Sequence, residues 1–170
     1  MINKYPQITI VLDRLRSAFN TGNIFRLADA VKAHEIIACG YTPCPPHPKL
    51  SKTAMGSEEY VKCRHFDDSL KAVKVLRAEG CKMILAVETG ENSICAWQKN
   101  YEFPLAIILG NEALGVDAET MRECDGVISL PMFGNKTSIN VGNCAAVVLY
   151  SIIANNSKNS DLDPLTNSKL

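Results

Sequence analysis

The side chains with most chemical capacity fall in three short, glycine-bearing turns. The first is Asn20-Thr21-Gly22-Asn23-Ile24-Phe25-Arg26 and the second Gly110-Asn111-Glu112-Ala113-Leu114-Gly115. The third runs from Gly134 through Asn135, Lys136, Thr137 and Ser138 to Asn140. Together they offer amides, hydroxyls, one carboxylate and one guanidinium. Taken singly, each has an ordinary structural role. An Arg one turn into a helix is usually a surface ion-pair partner, Gly110 and Gly115 suit a turn, and Glu112 suits a solvated carboxylate. Several chemistries are excluded. Gly110 and Gly115 have the spacing of a P-loop, but Val116 and Asp117 stand where Lys and Ser or Thr are required. No G-x-G-x-x-G marks a dinucleotide fold. There is no Ser/His/Asp elbow, and His34, His47 and His65 lie outside the three turns.

The elements that must position these turns follow from the apolar pattern. QITIVL (7–12), EIIAC (35–39), KMILAV (82–87), LAIIL (105–109) and 127–130 read as strands, with a further strand at 60–65. Continuous apolar strands are the mark of a parallel sheet covered on both faces. Helices are expected over 21–33, after a cap at Asp67 through Glu79, and from Asp117 to Cys124. Gly40 to Pro48 holds four prolines and is neither helix nor central strand; a short helical piece around Lys52 follows. From Val141 to Ile153 the chain is apolar on nearly every side, with Thr137 or Ser138 as its expected N-cap. That run is shorter than the about 20 residues a membrane span needs. Alternating strand and helix predicts an α/β protein with a mainly parallel sheet and helices on both faces. Ligands in such sheets sit beyond the carboxyl ends of the strands, where the three turns fall.

At 170 residues the chain is expected to form one domain over 1–155, with a polar, flexible tail over 156–170. Net charge is zero but unevenly spread. Residues 1–82 carry 13 Lys and Arg against 8 Asp and Glu, and residues 83–170 carry 5 against 10. This permits a basic face towards a polyanion. Seven cysteines without a C-x-x-C pair argue against a disulfide framework and against a zinc site, so no metal is expected. Free thiols and the lack of a signal-peptide pattern point to the cytoplasm.

In this order, the three turns resemble the SpoU (TrmH-like) family of RNA 2′-O-methyltransferases, within the SPOUT superfamily. Asn20, Gly22 and Arg26 match its N-x-G-x-x-x-R. Gly110, Glu112 and Gly115 match its G-x-E-x-x-G. Leu130, Pro131, Ser138, Asn140 and Val141 match its apolar-Pro followed by S-x-N-V. The segments Arg16-Ser17-Ala18-Phe19 and Lys52-Thr53-Ala54-Met55-Gly56 are similar to the family too. The resemblance covers residues 8 to about 154. The chain departs at Ile139 and Gly142, where many members carry Leu and Ser or Ala.

The resemblance implies a C-terminal trefoil knot, a homodimer with active sites at its interface, and S-adenosylmethionine as methyl donor. It implies catalytic roles for Arg26, Asn20, Glu112, Ser138 and Asn140, with Glu112 fixing Arg26 or Asn20. The donor would lie against Val87, Thr89, Gly110, Asn111, Gly115, Leu130, Met132, Ser138 and Ile139. Arg16, Lys52 and Lys136 would contact RNA, tRNA before rRNA. Without a separate RNA-binding domain, substrate choice is expected from the catalytic domain, its dimer surface or a partner. Two other classes stay open: a non-catalytic RNA-binding member of the fold, and a methyltransferase acting on a base or a non-RNA substrate.

Overall fold

Among the described residues seven segments, most of them apolar, pair into one sheet: β1 (Ile8–Asp13), β2 (Glu35–Cys39), β3 (Cys63–Phe66), β4 (Met83–Val87), β5 (Ile94–Cys95), β6 (Leu105–Leu109) and β7 (Gly126–Ser129). The computed structural model describes residues 5–157. The strand order is β3-β2-β1-β6-β4-β7-β5, and every pairing is parallel. Successive side chains point to opposite faces, so the unbroken apolar runs fill two cores. Ile8, Ile10, Leu12, Leu85, Leu105, Ile107 and Leu109 meet the buried faces of α1 (Ala18–Ala30), α2 (Pro48–Ala54) and α5 (Val141–Ser157). Val11, Ile37, Ile84, Ala86, Ala106 and Ile108 meet Ala72, Val73 and Leu76 of α3 (Ser69–Ala78), with Met121 of α4 (Ala118–Arg122) packed against them.

The chain leaves β1 towards β2 on one side and β6 towards β7 on the other. Their carboxyl ends therefore part company, and such a switch point opens a crevice for ligands. Glycine brings the helices around it close. A Cβ at Gly22 of α1 would collide with Thr53 of α2, whose hydroxyl donates to the Ala18 carbonyl at 2.9 Å. A Cβ at Gly142 of α5 would meet the Asn23 amide of α1 at 2.7 Å.

Several boundaries differ from the sequence expectation. α1 begins at Ala18 rather than Thr21, because the Ser17 hydroxyl accepts from the Asn20 N–H at 3.2 Å and caps the helix. Asn20 thus lies in a helix turn, not a loop. The strand expected at 60–65 is displaced to β3, since a 3₁₀ turn over Ser57–Glu59 takes Tyr60 and Val61. Asp68, not Asp67, caps α3, accepting from the Lys71 N–H at 2.7 Å. Pro48 opens α2 at a first-turn position where its missing N–H costs nothing. Neither Thr137 nor Ser138 caps α5. The Asn140 side-chain oxygen does, accepting from the Gly142 N–H at 2.9 Å and the Asn143 N–H at 3.3 Å. α5 runs on to Ser157, past the expected domain boundary at 155; the rest of the expected tail lies outside the described residues. No helix among the described residues is long and apolar enough to cross a membrane.

Candidate active site

One chain of hydrogen bonds joins the three turns. The Glu112 carboxylate accepts from the backbone N–H groups of Arg16 at 2.9 Å and Ser17 at 3.1 Å. It also accepts from the Asn20 amide at 3.0 Å. The Asn20 amide oxygen in turn accepts from the Asn140 amide at 3.0 Å, and Asn140 caps α5. Asn20 is only 7% exposed, so its amide is committed to these two partners. Partial burial alone would raise the Glu112 pKa. The Arg16 N–H, the Asn20 amide and the Ser17 N–H outweigh it and hold the group below the ordinary carboxylate range.

The second turn is braced from within. The Asn111 side chain is 4% exposed, accepts from Ala113 N–H at 2.9 Å and Leu114 N–H at 3.0 Å, and donates to the Arg14 carbonyl and the Tyr41 hydroxyl. Asn111 and Gly115 exchange backbone bonds of 3.1 and 2.9 Å. A Cβ at Gly110 would collide with the backbone of Gly115 and Val116. The glycine is therefore required by the turn itself, and a Gly110→Val change would act through the turn before it acts through any ligand.

Beyond the ends of β4, β6 and β7 lies a cavity of about 350 Å³, within the range of small-molecule sites. All nine residues expected to hold the methyl donor line it: Val87, Thr89, Gly110, Asn111, Gly115, Leu130, Met132, Ser138 and Ile139. Glu112 and Asn140 line it too. Asn111 can serve a ligand only through its backbone, because its side chain is spent on the turn. The sequence reading missed Glu88, Leu109, Ala113, Ser129, Thr137, Val141 and Cys144 on the same walls. The signal for Glu88 was its place directly after an apolar strand in a sheet that binds ligands at its strand ends. Burial first, then the charge of Glu88, pushes the Cys144 thiol up to about 11, so no thiolate nucleophile faces the cavity at neutral pH.

Arg26 stands apart. It is exposed, lies outside the cavity lining, and forms no ion pair with Glu112. Helical geometry explains this: six residues turn the direction by roughly 240° from Asn20. Of the two partners expected for Glu112, the structure gives Asn20. The three basic residues are all exposed but separately placed. Arg16 has its backbone on Glu112, Lys52 sits on α2 beside α1, and Lys136 is in the segment between β7 and α5. Among the described residues no group of three or more His, Cys, Asp and Glu is arranged to hold a metal ion.

A parallel α/β sheet with motif-bearing turns joined beside a cavity beyond its strand ends defines an α/β domain built to take a ligand there. The comparison with known proteins narrows the class. The model of the SpoU rRNA Methylase family matches residues 7–150, and the chain belongs to that family. The resemblance read from the three turns is thereby borne out. The chain is 31% identical over 147 residues to the tRNA (guanosine(18)-2′-O)-methyltransferase of Thermus thermophilus, covering 86% of this chain and 74% of that one. It is 30% identical over 148 residues to the 23S rRNA (uridine(2479)-2′-O)-methyltransferase of Streptomyces viridochromogenes, covering 85% of this chain and 51% of that one. The solved structure of the SpoU methyltransferase AviRb from Streptomyces viridochromogenes, in complex with the cofactor AdoMet, superimposes with a TM-score of 0.79 at 26% identity. That match covers 91% of this chain and 60% of AviRb. The chain thus spans between half and three quarters of the length of these relatives.

Proposed function

We propose that the chain transfers a methyl group from S-adenosylmethionine to the 2′-hydroxyl of a ribose in structured RNA, with tRNA the first substrate to test and rRNA the second. The observation that carries this reading is the bonded chain Glu112–Asn20–Asn140, which ties the three family motifs to the wall of one cavity. The cavity suits the donor: apolar strand ends offer backbone N–H and C=O to an adenine, and among the described residues no basic one lines it. Bound there, the donor supplies an activated methyl group on a sulfonium.

The chain's own residues then position and stabilise. Glu112 fixes Asn20, Asn20 fixes Asn140, and Asn140 sets the entry of α5 against the cavity. Ser138, whose hydroxyl has no partner among the described residues, hydrogen-bonds near the transferring group. Arg26 stabilises charge on the ribose oxygen by donating to it, since a guanidinium offers donors and no acceptor, and the hydroxyl proton leaves to solvent water. Its place outside the cavity of its own chain fits a site completed in a dimer. A two-fold homodimer through α1 and α5 is supported by Phe19, Val147 and Tyr150, which are 69%, 43% and 53% exposed. Arg16, Lys52 and Lys136 contact phosphates. The family's trefoil knot, with the segment after β7 threaded through an earlier loop, and a cytoplasmic location belong to the same proposal. The close approach of α5 and α1 at Gly142 supports the threading.

Ribose-methylation mapping of total RNA from cells with and without the protein tests the reaction. Loss of one or a few 2′-O-methyl marks is expected. The purified protein should then methylate that RNA and fail on a copy carrying a 2′-deoxy target nucleotide. Methylation of the deoxy copy would move the chemistry to a base.

A further inference from the structure

We propose that Glu88 grips the ribose diol of the methyl donor, accepting a hydrogen bond from each of its two hydroxyls; this rests on the reading that the cavity takes S-adenosylmethionine. Glu88 is the first residue after β4, and β4 lies between β6 and β7, so the side chain stands in the middle of the three strand ends that floor the cavity. The carboxylate is aimed by the backbone. One oxygen accepts from the Thr89 N–H at 3.1 Å and the other from the Val116 N–H at 3.2 Å.

A carboxylate offers about four acceptor positions, so each oxygen keeps one in reserve. Two acceptors side by side match two adjacent hydroxyl donors. Glu112 is the other carboxylate on the lining among the described residues, and Arg16, Ser17 and Asn20 already take three of its positions. Among the described residues no Lys, Arg or His lines the cavity to occupy Glu88 instead. A charged acceptor in such a place needs donors from the ligand, and the diol supplies them. Dinucleotide-binding folds solve the same problem with an acidic side chain on a ribose hydroxyl.

The competing role is a latch. The Val116 bond ties β4 to the 110–117 segment, and a Cβ on Gly115 would collide with the Glu88 carboxylate. Binding of S-adenosylhomocysteine and its 2′-deoxy and 3′-deoxy counterparts, by calorimetry, separates the two. The series is measured on the wild-type protein, Glu88→Gln and Glu88→Ala, with thermal melting to check folding. Removing either hydroxyl should weaken wild-type binding about tenfold or more, the scale of a hydrogen bond to a charged group. In Glu88→Ala, which removes both bonds, the parent ligand should bind at least as weakly as a deoxy ligand binds the wild type, and removing a hydroxyl should cost little further. Glu88→Gln, with one acceptor oxygen left, should keep part of the discrimination. Equal weakening of all three ligands in Glu88→Ala would make the residue a latch and overturn the proposal. So would a wild-type protein that binds the deoxy ligands as well as the parent, a result that needs no variant to fold. Absence of any binding of the parent to the wild-type protein is a different result, and would bring down the cofactor reading itself.

Discussion

The cavity has two unlike walls. Along 110–117, Asn111 makes four side-chain hydrogen bonds, Glu112 accepts three, and the Asp117 N–H donates to the buried Asp13 carboxylate at 2.8 Å. Along 131–139, no hydrogen bond joins the segment to another described residue, every residue but Met132 is exposed, and Phe133 is 95% exposed. That segment is held by its ends, at β7 and at the Asn140 cap. One wall is built before any ligand arrives. The other has its contacts still to make, so part of its ordering belongs to binding, where it trades affinity against the gain of closing over the ligand.

The largest expected effect lies outside both walls. Arg26→Ala and Arg26→Lys should bind S-adenosylmethionine as the parent does, because Arg26 touches neither wall. Both should lose turnover by roughly a hundredfold or more, the scale of removing one preorganised donor, with Lys the milder. Single-turnover rates at saturating RNA decide it. Near-normal rates in either variant would leave Arg26 a surface helix residue.

What the sequence made legible and what it hid follow the same physics. β6 is legible to the residue, since its unbroken apolar run ends where burial ends, and β2 is too, although it starts at Glu35, a buried carboxylate met by Arg64 at 2.6 Å. The nine residues expected at the methyl donor came from the family resemblance rather than from any local pattern, and each falls on the cavity. Short-range hydrogen bonds were the blind spot. The Ser17 hydroxyl moved the start of α1, and Asn140 took the cap that Thr137 and Ser138 also offered by type. The bond from Asn20 to Asn140 spans 120 residues, and no local pattern encodes it. Glu88 looked like any polar residue after a strand until the 110–117 turn was folded against it.

Breaking the built wall comes second. Glu112→Gln removes the charge that two backbone N–H groups and the Asn20 amide are set to meet, and should lower turnover by about tenfold or more. It also carries a pH signature. Folding depresses the Glu112 pKa, so its contribution is present above the unfolded value of ~4.3. That contribution is lost as pH falls through the lower folded value. The stability gap between the parent and Glu112→Gln should therefore be full at neutral pH and close in acid. A gap that persists unchanged through that window would mean the carboxylate charge is not what braces the wall.

Next is the hinge between the walls. Asn140→Ala deletes the α5 cap and should cost about 1 kcal/mol of stability, a fall in Tm of roughly 2–4 °C. Asn140→Asp keeps an acceptor for the Gly142 and Asn143 N–H groups but cannot donate to Asn20. It should recover most of the Tm and little of the activity, which separates the cap from the chain of bonds.

The smallest effect on stability is expected in the open wall. Ser138 makes no hydrogen bond to a described residue and is exposed, so Ser138→Ala should stay within about 0.5 kcal/mol of the parent. Backbone amides of 133–139 should exchange with solvent far faster than those of Ala113 and Leu114, which are bonded to Asn111. The exchange contrast should shrink when S-adenosylhomocysteine is added. If the ligand supplies the contacts this segment lacks, exchange at 133–139 slows and that at 113–114 barely changes, because the latter is already protected. Ser138→Ala would then bind the ligand more weakly than the parent while melting at the same temperature without it. Slow exchange at 133–139 in the free protein would instead show that something already covers this wall. A second copy of the chain would reveal itself by exchange that depends on protein concentration.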